Sequence, residues 1–131
     1  MITRSTTYTP EFYKSLSSLF YSIAASDKNI VPKEKLKIIE LVEKYWSAKK
    51  EDFDSKAYIY SELKSLIQSK LNKEIAFDNF KSYFQENQSI FSFDLRKNIM
   101  NSAYEIANAF AKRNKSELLL LSKLHMLLFE N

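Results

Sequence analysis

The chain contains no cysteine and no glycine, and only two prolines, Pro10 and Pro32. Without cysteine it can form neither a disulfide nor a thiolate metal site, and the lack fits a reducing compartment. Without glycine there is no P-loop, no dinucleotide-binding fingerprint and no EF-hand loop, because each needs glycine at a fixed turn. Tight hairpins on Asn-Gly or Asp-Gly and the glycine-flanked nucleophile elbow are excluded for the same reason. Histidine occurs once, at His125. A lone histidine needs an orienting acid and a nucleophile to catalyse, and spacing places neither. Carboxylate-bridged di-iron bundles need paired Glu-x-x-His motifs. One histidine cannot supply two, and Ser122 stands three residues before it.

Long apolar runs are missing too. The densest, residues 118–129, is shorter than the ~20 residues of a membrane span and carries Ser122, Lys123 and His125. The N-terminus, Met1-Ile2-Thr3-Arg4-Ser5-Thr6, is polar and lacks the hydrophobic stretch of a signal peptide. The chain is therefore expected to be a soluble, cytoplasmic protein. Its formal charge of +4 permits an anionic partner without demanding one. Nucleic acid is not expected, since binding it usually takes a stronger basic excess and a recognisable reading element.

What is present is enough for one domain. The chain has 131 residues, of which 45% are hydrophobic, and this argues against disorder. Apolar residues recur at three- and four-residue spacing nearly throughout, so an all-α, sheet-free bundle of about six helices is expected. Residues 1–8 read as a flexible tail and 9–131 as a single helical domain. Thr9 can cap a first helix with Pro10 at its first position. Its apolar stripe is Phe12, Leu16, Leu19, Phe20 and Ile23. Pro32 opens a second helix with Ile38, Ile39, Val42, Tyr45 and Trp46. Residues 47–54 read as a polar connector.

A third helix is expected over about 55–72 with Ile59, Leu63, Leu66 and Ile67 inward, and a shorter fourth over about 75–86 with Phe77, Phe80, Tyr83 and Phe84. The fifth begins near Phe93 and carries Leu95, Ile99, Met100, Ala103, Ile106, Ala107 and Phe110. The sixth follows Asn114 and is apolar on almost every side from Leu118 to Phe129. Such a helix is either central in the fold or partly covered by a second subunit, which leaves open a homodimer through residues 118–129.

Residues 23–46 and 106–129 align without gaps at an offset of 83. Ile23-Ala24 falls on Ile106-Ala107, Glu34 on Glu117, Leu36 on Leu119, Leu41 on Leu124 and Tyr45 on Leu128. Each segment is a helix end, a short polar loop and an amphipathic helix. The pattern is one internal duplication of a helical hairpin, too few copies for a solenoid.

The stretch Ile23-Ala24-Ala25-Ser26-Asp27-Lys28-Asn29-Ile30-Val31-Pro32-Lys33-Glu34 resembles the signature of the TerB-like (tellurite-resistance protein B-like) superfamily. That motif is a small-residue helix end, then Asp-Gly, an aliphatic and an acidic position. It recurs near the C-terminus, where Ile106, Ala107, Glu117 and the leucines after it match. Two positions depart: Lys28 stands for the glycine, and Phe110 for the second aspartate. The resemblance implies a compact all-α bundle with pseudo-twofold symmetry, a link to metal-oxyanion and general stress responses, and metal chelation at the acidic positions.

The candidate residues carry two readings each. Asp27 and Glu34 could offer oxygens to a divalent cation, but two side chains fall well short of the six to eight that calcium takes. Alternatively, Asp27 ends one helix while Glu34 complements the positive end of the next. No cofactor is expected beyond weak cation binding at that pair. Lys28 and Lys33 in the first hairpin, and Lys112, Arg113 and Lys115 in the second, flank helix starts. They could hold an anion or an acidic partner or form a solvated basic face. His125, which aligns with Val42, is expected to be packed in the core or at an interface. Glu51, Asp52 and Asp54 read as a charged connector rather than a metal cluster. The combined expectation is a non-enzymatic domain acting through a protein partner, with an ion-binding module as the alternative.

Overall fold

The structure, a computed structural model, describes residues 9–25, 32–46, 49–50, 53–109 and 115–130. The residues 1–8 read as a tail lie outside these.

Six α-helices follow from the capping and spacing signals. In α1 (Pro10–Ala24) the Thr9 hydroxyl accepts from the Phe12 amide at 3.2 Å, and proline takes the first position. Next come α2 (Pro32–Trp46) and α3 (Ser55–Ser69). The fourth helix, α4 (Lys73–Glu86), is followed by a short 3-10 turn at Gln88–Ile90. Then α5 (Phe93–Ala109) starts where the Ser92 hydroxyl accepts from the Leu95 amide at 3.1 Å, and α6 (Lys115–Phe129) completes the set.

The all-α class holds, and two local expectations are corrected. The connector contains a minimal antiparallel ladder, β1 (Lys49–Lys50) against β2 (Phe53–Asp54), with Lys49 opposite Asp54. Two residues a side are too few for alternation to show in the sequence. The third helix also stops at Ser69 rather than near Asn72. Lys70 turns left-handed at φ 53°, a position glycine would normally take, and its amide closes on the Ile67 carbonyl. Asn72 belongs to the next element: its side chain accepts from the Glu74 and Ile75 amides and caps α4.

The core centres on α1, which packs against α3, α4, α5 and α6. It is buried nearly all round, on its serines as well as its apolar stripe. Ser15, Ser17 and Ser22 return their hydroxyls to the carbonyls of Phe12, Tyr13 and Leu19. Each is thereby satisfied and small enough for a neighbouring helix to approach. A knot of rings closes one end of the core: Phe91 meets Phe12, Phe80, Tyr83 and Phe84 at centroid distances of 4.9–6.1 Å. Central burial was expected of α6 as one of two alternatives. Instead α6 buries Leu120, Leu121, Leu124, Leu127 and Leu128 and leaves Leu118, Leu119 and Met126 exposed.

The offset of 83 recurs in the helix boundaries. Pro10 and Phe93 begin α1 and α5, Pro32 and Lys115 begin α2 and α6, and Trp46 and Phe129 end the latter two. Burial follows the same register only in part, since Tyr21 and Ile39 are buried where Tyr104 and Ser122 are exposed, and Lys44 is exposed where Leu127 is buried. Leu95, Ile99, Met100, Ser102, Ala103, Ile106 and Ala107 of α5 are buried, and so are Phe12, Leu16, Ser17, Leu19, Phe20, Ile23 and Ala24 of α1. In the second helices Leu41 and Leu124 are both buried, and Leu36 and Leu119 both exposed. Helix α1 packs on α5, while α2 packs on α5 and α6 on α1. A twofold exchange of the hairpins requires those contacts, but it also requires α1 to pack on α2 as α5 packs on α6, and no comparable α1–α2 packing is found among the described residues.

Candidate functional site

Six of the candidate residues singled out in the sequence, Asp27, Lys28, Glu51, Asp52, Lys112 and Arg113, lie outside the described residues, as does Phe110. Glu34 falls in the first turn of α2. Lys33, beside it, is exposed, and Lys115 is the exposed first residue of α6. No group of three or more His, Asp or Glu that could hold a metal occurs among the described residues. Within the connector, Asp54 serves the backbone, since its carboxylate accepts from the Lys56 and Ala57 amides and caps α3.

Of the two expectations for His125, core packing does not hold. The residue is exposed rather than packed in the core, with its Nδ1 3.6 Å from a Glu130 carboxylate oxygen and its ring 5.1 Å from that of Phe129. The register explains the shift. Helix α6 turns Leu121, Leu124 and Leu128 inward, so residues 118, 122, 125 and 126 fall on the opposite stripe, at i, i+4, i+7 and i+8.

That outward stripe lines a surface groove. Leu118, Ser122, His125 and Met126 of α6, with Tyr104 of α5, line a groove of about 450 Å³ floored by Leu121 and bounded by Glu130. Large apolar side chains are exposed at Leu118, Leu119, Met126 and Tyr104, a density reached nowhere else among the described residues. Ring contacts extend the apolar surface from His125 to Phe129, and from Phe129 to Phe93 at 6.1 Å. Met126 also borders a second hollow, shared with Phe77, Lys81 and Lys123.

Shifted ionisations lie elsewhere. Burial raises the Tyr21 phenol, which donates to the Leu71 carbonyl at 2.7 Å and ties α1 to the turn after α3. Burial also raises Tyr58, helped by the charge and hydrogen bond of Glu62. Neither phenol lies on the groove. The sequence signal for the groove was present in the all-round apolarity of residues 118–129, but periodicity could not say which leucines would stay outside.

No family model, no curated protein and no solved structure matches this chain. None of the helices among the described residues is long and apolar enough to cross a membrane. The fold and surface define a compact all-α domain with one concentrated apolar face on α5 and α6.

Proposed function

We propose that this is a non-enzymatic helical domain of TerB-like type that acts by binding a partner protein through the α5/α6 face. The observation that carries the reading is the groove walled by Tyr104, Leu118 and Met126. Leu118 and Met126, at i and i+8 of α6, and Tyr104 beside them leave apolar surface in water, which costs stability unless another surface covers it. The polar rim of Ser122, His125 and Glu130 is the mixture found at the edge of protein interfaces. The occupant this shape suits is one amphipathic helix, laid along α6 with its apolar face in the groove.

The TerB-like assignment rests on the Ile23–Glu34 motif and its echo at Ile106–Glu117. The matched boundaries of the two hairpins agree with the pseudo-twofold bundle that the resemblance implies. The assignment places the domain in a response to metal-oxyanion or general stress. A strain lacking the chain should then grow less well on tellurite or an oxidant. Wild-type chain should restore growth, and a Leu118→Ser/Met126→Ser variant should not. Equal rescue by the variant would separate the stress role from this face. Sedimentation equilibrium decides whether the partner is a second copy: a dimer mass that the double variant loses would make it so.

A further inference from the structure

Arg96, in the first turn of α5, is half-buried and has no carboxylate within 4 Å among the described residues. Its Nε donates to the Phe91 carbonyl at 2.8 Å and its Nη1 to the Leu128 carbonyl at 2.7 Å. One guanidinium face lies 5.0 Å from the centroid of the Phe84 ring. These contacts fix the fork in place, with one donor on the last turn of α6, where a cation suits the helix dipole. They engage two of the five N–H groups that a guanidinium carries. The third nitrogen, Nη2, has no acceptor among the described residues and is not fully buried.

Arg96 forms one wall of a hollow of about 270 Å³, with Phe91, Phe93, Leu128 and Phe129 as the others. Phe93 stands 65% exposed at the mouth, although it is the first residue of a helix and could have been polar at no cost to the core. The ammonium of Lys97 sits 5.4 Å from the Phe93 ring, adding a second positive charge. The nearby acids do not neutralise the pair. Asp94 and Glu130 are both exposed and outside ion-pair distance of Arg96 and Lys97. A fixed guanidinium edge beside apolar walls recognises a carboxylate joined to an apolar body.

We propose that this hollow binds an organic carboxylate carrying one aromatic or branched apolar group. The carboxylate takes the open guanidinium edge of Arg96, and the apolar group packs against Phe93 and Phe129. The volume, just under the roughly 300–1,000 Å³ of drug-sized sites, limits the ligand to a small one. The same chemistry is offered by a free acid and by the C-terminal residue of a polypeptide. The inference does not depend on the protein-contact reading, because none of the hollow's walls, Phe91, Phe93, Arg96, Leu128 and Phe129, lines the groove.

The test is a titration of the full chain followed by NMR at the Arg96 Nε–H and at the Phe93 and Phe129 ring protons. The probes are 3-phenylpropanoate, 3-phenylpropanamide and N-acetylphenylalanine. For a partly open site the acid should bind with a dissociation constant on the order of 0.1–1 mM. The amide, which lacks the charge, should bind about tenfold more weakly or worse. Phe93→Ala, at an exposed position, should weaken the acid several-fold without moving the melting temperature. Arg96→Lys keeps the charge but loses the fork and should weaken it further. N-acetylphenylalanine binding tighter than phenylpropanoate assigns the site to chain termini, and the reverse order assigns it to free acids. The proposal is overturned if the amide binds as well as the acid, if Phe93→Ala has no effect, or if no saturable shift appears up to roughly 10 mM probe.

Discussion

Replacing Leu124 by aspartate should unfold this domain, and replacing Leu119 by aspartate should not. The two leucines lie on the same helix five residues apart, yet Leu124 is 0% exposed and Leu119 62%. Removing a buried leucine side chain costs about 2–5 kcal/mol. The introduced carboxyl must then be held neutral in the core. From an ordinary value near 3.9, that costs about 4 kcal/mol at pH 7 at 1.36 kcal/mol per unit. Its unpaired polar atoms cost about 1–3 kcal/mol more. The total, about 7–12 kcal/mol, is comparable to the whole stability of a typical domain, about 5–15 kcal/mol. At Leu119 only helix propensity is lost, about 0.5 kcal/mol. Circular dichroism in a urea titration reads both. A folded Leu124→Asp protein with an unchanged midpoint, or a Leu119→Asp protein as damaged as Leu124→Asp, would refute the placement of α6.

Four further outcomes follow from the same geometry. Ser102 is fully buried with a hydroxyl that has no partner among the described residues, so Ser102→Ala should raise stability by about 1 kcal/mol in the same titration. Burial raises the Tyr21 phenol above 10.0, so the folded state favours the neutral form. Its contribution is complete below pH 10 and lost as pH climbs through the raised value. Tyr21→Phe should cost about 1 kcal/mol at neutral pH and soften the alkaline loss seen in melting curves. Lys70 sits at φ 53°, so Lys70→Gly should gain about 0.5 kcal/mol, the relief of left-handed strain less the added freedom of the unfolded chain. Calorimetry with calcium, magnesium, manganese and zinc should find weak binding or none, and low-micromolar affinity abolished by Asp27→Asn would establish a cation site at Asp27 and Glu34.

How far the sequence foretold this structure differs by element. Thr9-Pro10 and Pro32 marked their helix starts to the residue, because capping and proline stereochemistry act locally. The stripe of α5 was legible for the same reason: Leu95, Ile99, Met100, Ala103, Ile106 and Ala107 are all buried. The centre of the fold was not legible. Helix α1 hides its other faces behind Ser15, Ser17, Ser18 and Ser22, which look exposed in the sequence; three of them, Ser15, Ser17 and Ser22, bond back to the helix. Conversely, α6 looks central because leucine fills most of its positions, while its real place depends on which side α1 and α5 occupy. Asn72 could have been read as a cap, since Glu74 follows it in the first turn, but the unbroken apolar spacing of α3 carried the reading past Lys70. The Arg96 hollow gave no sequence signal. Its parts come from the 3-10 turn, the start of α5 and the end of α6, and only packing brings them together.

The protein-contact reading is tested most directly by placing a photoreactive phenylalanine analogue, one position at a time, at residues 118, 126, 36 and 60 in the chain's own cells. All four native side chains are large, apolar or aromatic, and exposed, so chance encounters should label them alike. Positions 118 and 126 should yield the same discrete adduct, identifiable by mass spectrometry, while 36 and 60 on α2 and α3 yield none. Adducts of equal strength from all four positions, or none from 118 and 126, would contradict a partner-binding face on α6.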